Sequence, residues 1–325
     1  MAKVIGRLTT IFIGKEATRG TLGSPEFAVP VRAIDIDDVP TYLDNDSGYG
    51  VISEHNDSDL NTTQGEGGYD GKVFDHVLGA ELRATFGKAP TTTAVSGQSG
   101  VFQHDFDVAN NNSHDSLSIF TKEDASKSFS LGMVETFSLT AALDDYLARA
   151  ISFKSRPSED WAPGTPPAYI RGNEFLARNL AVKVAANKAG LDAATASKIT
   201  AFSLEIAKNL DVQFVFGKAT PDDIQNQQLN VTGSFDYRRE DETVRGYVMG
   251  DVKRAIRFEA VSGATIGTSA HPTLRFDLPY VAFKEDSRSR DNNAVETRTV
   301  NFQANYSIEE AAAITARLIN TVTAY

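Results

Sequence analysis

The stretch "GEGGYDGKV", residues 65–73, has the residue types of a phosphate-binding loop. Such a loop needs a glycine, four residues, then Gly-Lys and a hydroxyl. Here Glu66 stands where the first glycine should be, and Val73 replaces the Mg²⁺-binding Ser or Thr. The stretch therefore reads as a glycine-bulged strand leading into a helix. Asp44, Asp46 and Gly48 open like a calcium loop, yet the twelfth position is His55 instead of a bidentate Glu. A solvated loop is the main reading there, with a weak cation site as the lesser alternative. His55, His76, His104, His114 and His271 include no pair at zinc-ligand spacing, and "VSGQSG" around Ser96 and Ser99 lacks the G-x-S-x-G of a nucleophile elbow. The neighbouring acids Asp37 with Asp38 and Asp222 with Asp223 could exchange protons, but in so acidic a chain they read as solvated faces or caps. No catalytic residue, metal ligand or cofactor is assigned, and the chain reads as a non-enzyme.

With no chemistry assembled by spacing, composition sets the class. The 325 residues are 41% apolar and 23% charged, the balance of a folded protein with a sizeable core, long enough for one large domain or two ordinary ones. Zero cysteines exclude disulfides, thiolate metal sites and a cysteine nucleophile. No apolar run is long enough to cross a bilayer. Arg7 interrupts "MAKVIGRLTTIFIG" and no small-residue cleavage site follows, so cytosolic synthesis without a signal peptide is expected. The sequons at Asn61, Asn111, Asn230 and Asn305 then carry little weight. An excess of 43 acidic over 32 basic residues gives a net charge of -11. That balance disfavours a broad phosphate-neutralising surface and suits a protein that stays near DNA without adhering to it.

The elements follow from periodicity. "FSLTAALDDYLARAISFKS", residues 137–155, fits a helix through Leu139, Leu143, Leu147 and Ile151, and fits strands through Phe137, Leu139, Ala141 and Leu143. The "FSL" recurs at Phe202, where Phe202, Leu204 and Ile206 alternate cleanly, and Asp144 with Asp145 suits a turn, so 137–155 is taken as a β-hairpin. The Pro-rich segment Arg156–Glu174 reads as a linker that divides the chain, giving expected domains 1–157 and 158–325. After it come strands at "LAVKVAANKAG" and "ITAFSLEIAKNLD", a capped turn of helix or loop at "TPDDIQNQQ", the strand "LNVTGSFDYR" and a helix at "EDETVRGYVMGD". Strands "AIRFEAV", "PTLRFDLPYVAF" and "ETRTVNFQANYS" follow. Before it the order is similar: the strand "AVPVRAIDID", a long acidic loop from Asp37 to about Leu60, and the weak strand "LNTTQGEGGYDG". Next is a helix with Val73, Val77, Leu78, Leu82 and Phe86 on one face and Gly87 as its stop, and then strands "VFQHDFDVA", "DSLSIFTK" and "SFSLGMVETFSLTAAL". The intervals Asp38–Lys72 and Leu210–Asp241 are alike, which suggests an internal duplication.

"GKEATRGTLGSPEFAVPVRAIDIDD", "VFDHVLGAELRATFG", "FSLTAALDDYLARAISFKS", "NVTGSFDY", "VNFQANYS" and "LINTVTAY" together resemble the major tail tube proteins of long-tailed bacteriophages, over Gly14 to Tyr325. The resemblance implies a mainly β fold of two tandem β-sandwich or partial-barrel domains, each with one flanking helix. It also implies self-assembly into stacked rings that form the hollow tail tube. Partners would be other copies of the chain and tail proteins such as the tape measure and tail terminator, with DNA passing unbound and no membrane contact. The place would be the virion tail, assembled in the host cytoplasm. The segment Asp37–Leu60 resembles the family's extended inter-subunit loop, with Val39, Tyr42, Leu43, Tyr49, Val51 and Ile52 as anchors; the lumen-lining residues are not assigned. Two tube domains per chain imply three chains per ring, and one tube domain plus a decorating domain implies six. A virion decoration or baseplate β-protein is an alternative. So, more remotely, is a polysaccharide-binding module, for which Trp161 is the conspicuous aromatic, although it reads better as a linker anchor.

Overall fold

A computed structural model describes residues 6–123, 125–239, 242–289, 292–293 and 295–325. Met1–Ile5 of the N-terminal stretch and Asp241, which marks the end of the second loop-to-helix interval, lie outside the described residues. The fold is mainly β: among the described residues, an 18-stranded antiparallel network with two α-helices. The hairpin at 137–155 is confirmed, with strands Lys127–Ala142 and Ala148–Ser155 pairing Phe137 to Ile151. Asp144 sits in the turn at φ 65°, a left-handed position that Asp tolerates. Helix α1 (Asp75–Phe86) buries Val77, Leu78, Leu82 and Phe86, and Gly87 ends it at φ 81° with its N–H on the Arg83 carbonyl at 2.8 Å. Helix α2 spans Thr243–Met249.

Three expectations are corrected. Asp37–Leu60 is no long loop: strands Ala33–Asn45 and Asp57–Lys72 form one hairpin, and only residues 46–56 connect them. Its outer part is exposed on both faces, so it shows no apolar alternation; the backbone ladder makes it a strand pair. "AVPVRAIDID" is two strands, because Phe27–Val29 pairs with Thr10–Lys15 and the chain turns at Pro30 before Ala33–Asn45. Most of "TPDDIQNQQ" belongs to strand Asp223–Arg238, pairing with Ile199–Gln213 from Asp223 onward.

The pairings recur along the chain. In the first half, Thr10–Lys15 pairs with Phe27–Val29 and Leu117–Lys122. Leu117–Lys122 pairs with the N-terminal part of Lys127–Ala142, which also takes Glu159–Asp160. The C-terminal part pairs with Ala148–Ser155, then Asp57–Lys72, then Ala33–Asn45. In the second half, Leu180–Ala185 pairs with Ala196–Ser197 and Arg254–Val261. Arg254–Val261 pairs with the N-terminal part of Thr273–Ser289, which also takes Thr315–Asn320. The C-terminal part pairs with Thr297–Ala304, then Asp223–Arg238, then Ile199–Gln213. Residues correspond as well: Gly67, Tyr69 and Asp70 match Gly233, Phe235 and Asp236, and buried Arg149 matches buried Arg298. The bulge between Val134 and Thr136 recurs between Phe283 and Glu285.

Two features join the halves. Ile199–Gln213 pairs with Lys127–Ala142, so Leu204 lies opposite Leu139. Strand Phe102–Asp107, which with Thr91–Ala94 has no counterpart among the described residues of the second half, pairs with Thr315–Asn320. One apolar core runs through both halves, from Ile11 and Phe86 to Phe258 and Leu318.

Candidate assembly surfaces

The hairpin Ala33–Asn45/Asp57–Lys72 is the first arm and Ile199–Gln213/Asp223–Arg238 is the second. Between and beyond them runs one sheet in the order Ala33–Asn45, Asp57–Lys72, Ala148–Ser155, Lys127–Ala142, Ile199–Gln213, Asp223–Arg238, Thr297–Ala304, Thr273–Ser289. Strand alternation gives this sheet two unlike faces. Ile151, Phe153, Phe137, Leu139, Phe202, Leu204, Phe235, Val300 and Phe302 turn to the core. The other face carries short polar side chains that bond across strands: Thr136 with Ser152 at 2.6 Å, Ser203 with Ser234 at 2.8 Å, Thr299 to Asp236 at 2.6 Å and Asn301 to Glu285 at 2.9 Å. Asp35, Asp37, Glu66, Asp70, Glu205 and Glu285 share that face with Lys72, Lys154 and Arg238, of which Lys154 is paired with Glu135 at 3.0 Å. The result is a smooth, acid-rich wall that no periodicity argument could place before the pairings were known.

All six expected anchors fall on the first arm, and all are exposed. Val39, Tyr42 and Leu43 lie on its strand, while Tyr49, Val51 and Ile52 lie in the connection at its tip. The sequence reading missed the second arm's tip, where Phe214, Val215 and Phe216 are also exposed. Its signal was the apolar run "FVF" between two polar strand ends.

The second arm is seated on the first half, and its seat is mostly polar. Arg156 donates to the carbonyls of Pro221 at 3.1 Å, Asp222 at 2.8 Å and Gly20 at 2.9 Å, and Arg19 pairs with Asp223 at 3.0 Å. Ile224 fills an apolar socket with Leu131 and Met133. Lys208 is fully enclosed. Its Nζ donates to the Ala84 carbonyl at the end of α1 at 2.7 Å and lies 3.4 Å from His114 Nδ1. Burial, reinforced by Arg19, lowers the Lys208 ammonium to about 7. Burial and then Lys208 lower His114 to about 4. A polar cavity of about 940 Å³ lies beside this seat, lined by Lys88, His114, Asp211 and Tyr306 among others. Thr63 of the first arm donates its N–H to the Ala219 carbonyl near the second arm's tip at 2.8 Å.

The acids considered for proton chemistry are held in ion pairs and caps: Asp223 by Arg19, Asp222 by Lys218, and Asp38 by the hydroxyl and N–H of Ser158 at 2.6 and 2.7 Å. Among the described residues no group of His, Asp and Glu could hold a metal ion, and no helix is long and apolar enough to cross a membrane. Trp161 packs on Phe12 and Phe120 with ring centroids 5.9 and 4.9 Å away, anchoring the start of the Pro-rich segment. No curated protein matches the chain. A family model described as phage tail tube protein matches residues 6–318, nearly the whole of this mainly β frame. The chain belongs to the phage tail tube protein family, a structural family of the virion tail.

Proposed function

We propose that this chain polymerises into rings whose stacking builds the hollow tail tube for DNA passage, with three chains per ring. Each chain supplies two tandem tube domains, residues 1–157 and 158–325. The observation that carries the reading is the repeated set of strand pairings, arm and helix included, in the two halves. A chain that holds two copies of one assembly unit needs half as many copies to close a circle. The exposed anchors Val39, Tyr42, Leu43, Tyr49, Val51 and Ile52 supply the contacts to neighbouring subunits, since apolar side chains grouped on an extended arm are stabilised by cover.

The acid-rich sheet face is the channel wall in this reading, facing DNA that slides without binding. The tape measure inside the tube and the tail terminator at its end are the other partners, and assembly takes place in the host cytoplasm. Electron microscopy of assembled tubes, with the mass of one ring, tests this. A ring three times the 35.2 kDa chain with pseudo-sixfold projections is expected. A ring six times the chain would overturn the tandem reading.

A further inference from the structure

The ladder that ties the second arm to Lys127–Ala142 runs from Ala201 to Ala207, and the next residue is Lys208. Pairing within the arm shifts register between Lys208 and Leu210, at the same level. The outer arm, residues 208–229, therefore has a hinge point where Lys208 enters the first half. His114 meets this point from both strands. Its Nδ1 lies 3.4 Å from Lys208 Nζ on one strand, and its backbone N–H donates to Asn226 Oδ1 on the other at 3.2 Å. Asn226 in turn donates from Nδ2 to the Asn111 carbonyl at 2.9 Å. The imidazole rests on Gly87, the residue that stops α1, where a Cβ would come 2.1 Å from His114 Cγ.

The bonds around this imidazole fix its proton. Nε2 faces the Ala109 carbonyl at 2.8 Å, and a carbonyl only accepts, so Nε2 carries the hydrogen and Nδ1 presents its lone pair. Lys208 is the donor opposite: Nζ gives one hydrogen to the Ala84 carbonyl at 2.7 Å and points another at Nδ1. A proton on Nδ1 would remove that acceptor and set two cations 3.4 Å apart, both shielded from water. The nearby charges are already engaged: Arg19 with Asp223 at 3.0 Å, Arg83 with Asp115 at 2.7 Å and Lys88 with Asp107 at 3.9 Å. Lys208 and His114 also line the polar cavity of about 940 Å³, whose other walls carry Asp107, Asp211 and Glu310. A displaced ammonium thus has an acid-lined exit.

We propose that His114 is a proton-operated latch on the second arm: a proton on Nδ1 drives Lys208 into the cavity, and the arm beyond Ala207 swings at its register shift while the 201–207 ladder stays closed. The sign follows from burial and then from Lys208, which together keep His114 neutral in the seated arm down to about pH 4. Once the arm lifts, the imidazole returns toward its ordinary 6.5. Between those values the lifted state binds the extra proton, so acid favours lifting and neutral pH keeps the arm seated. His104, at the other joint between the halves, is built differently. Its Nε2 faces the Val322 carbonyl at 3.0 Å and Asn320 Oδ1 at 3.2 Å, and its Nδ1 faces the Thr92 hydroxyl at 2.8 Å. That hydroxyl can turn to accept, so a second proton on His104 keeps every partner. The latch belongs to the single chain and stands with three or with six chains per ring.

Hydrogen exchange of the full chain tests this, read by mass spectrometry from pH 7 down to about 4.5 and corrected for the intrinsic rate, with sedimentation confirming one assembly state throughout. Protection of residues 208–229 is expected to fall by up to about tenfold per pH unit below 6.5, with 201–207 unchanged. His114→Gln, which keeps an acceptor but does not titrate, should remove most of that slope. Lys208→Met, which takes away the second cation, should reduce it. Equal corrected protection of the parent's outer arm at both ends of the range would overturn the latch, as would arm and ladder opening together, or an undiminished slope in His114→Gln. Should neither variant fold, nuclear magnetic resonance of the parent decides. His114 titrating near pH 4 from the Nε2–H tautomer, in step with outer-arm exchange, is the expected result. An Nδ1–H tautomer or a midpoint near 6.5 would overturn the proposal.

Discussion

Arg149 and Glu81 show what one buried pair contributes at the root of the first arm. Arg149 Nε donates to both Glu81 oxygens at 2.8 and 2.6 Å, Tyr69 adds its hydroxyl at 3.1 Å, and both charged side chains are almost wholly shielded from water. Burial, then the Glu81 charge, raises the Tyr69 hydroxyl well above its ordinary range, so it remains a donor. Removing one partner strands the other charge in the core. Glu81→Leu should cost about 3–5 kcal/mol in urea unfolding, and Glu81→Leu with Arg149→Met should recover most of it. Lys208 gives a pH signature. Its folded value of about 7 lies below the unfolded 10.5, so between those values the unfolded chain binds more protons and stability rises with pH. Below about 7 both states are charged and the burial cost is present in full. The slope is at most about 1.4 kcal/mol per pH unit. Lys208→Met should flatten this rise in melts compared across pH 7 to 10; an unchanged slope would show that Lys208 is hydrated in solution.

At the scale of elements, α1 illustrates a helix shaped by what it receives. A Cβ at Gly79 would lie 2.1 Å from the Tyr325 ring, whose hydroxyl bonds the carbonyls of Asp75 at 3.2 Å and His76 at 3.0 Å. Gly79→Ala should therefore destabilise by roughly 1–3 kcal/mol despite alanine's better helix propensity, a sign reversal that calorimetry would read. The first arm predicts the opposite balance. Replacing residues 44–58 by Asn-Gly, between the paired Leu43 and Asp59, should leave the circular dichroism and melting unchanged and abolish tubes in micrographs. The two elements also show what could be read from sequence. Strand Ile199–Gln213 was legible because Phe202, Leu204 and Ile206 face a core and the intervening residues do not. The outer first arm reads as a loop in sequence because an arm exposed on both faces imposes no alternation. The joining strands Phe102–Asp107 and Thr315–Asn320 differ again: the first is read from "VFQHDFDVA", the second is not among the strands read from sequence, and nothing local announces that residue 105 meets residue 317.

The whole molecule turns local alternation into a field. Asp35, Asp37, Glu66, Asp70, Glu205 and Glu285 fall on one sheet face because the seven pairings of the eight-stranded sheet keep them in phase; composition alone gave the net charge without its location. In the proposed ring these acids repeat around the channel, and repulsion of phosphate reaches about 8 Å at physiological salt. Tubes of Asp35→Lys/Asp37→Lys/Glu205→Lys should bind DNA with a steep salt dependence, where the parent tubes bind weakly; equal binding by both would remove this face from the channel. The wall was illegible in sequence for the same reason that the duplication was only partly legible: both depend on which strand lies beside which.

The ladder between Phe102–Asp107 and Thr315–Asn320 has a consequence in time. Its ion pair joins Asp105 to Arg317 at 2.6 Å across 212 positions of chain. A ribosome emits the first of these strands long before the second, so the early half waits with an unfilled edge while the rest is translated. Contacts of such separation close slowly, and this one closes only after the second half has emerged. A prematurely terminated polypeptide thus lacks one of the two ladders that join its halves.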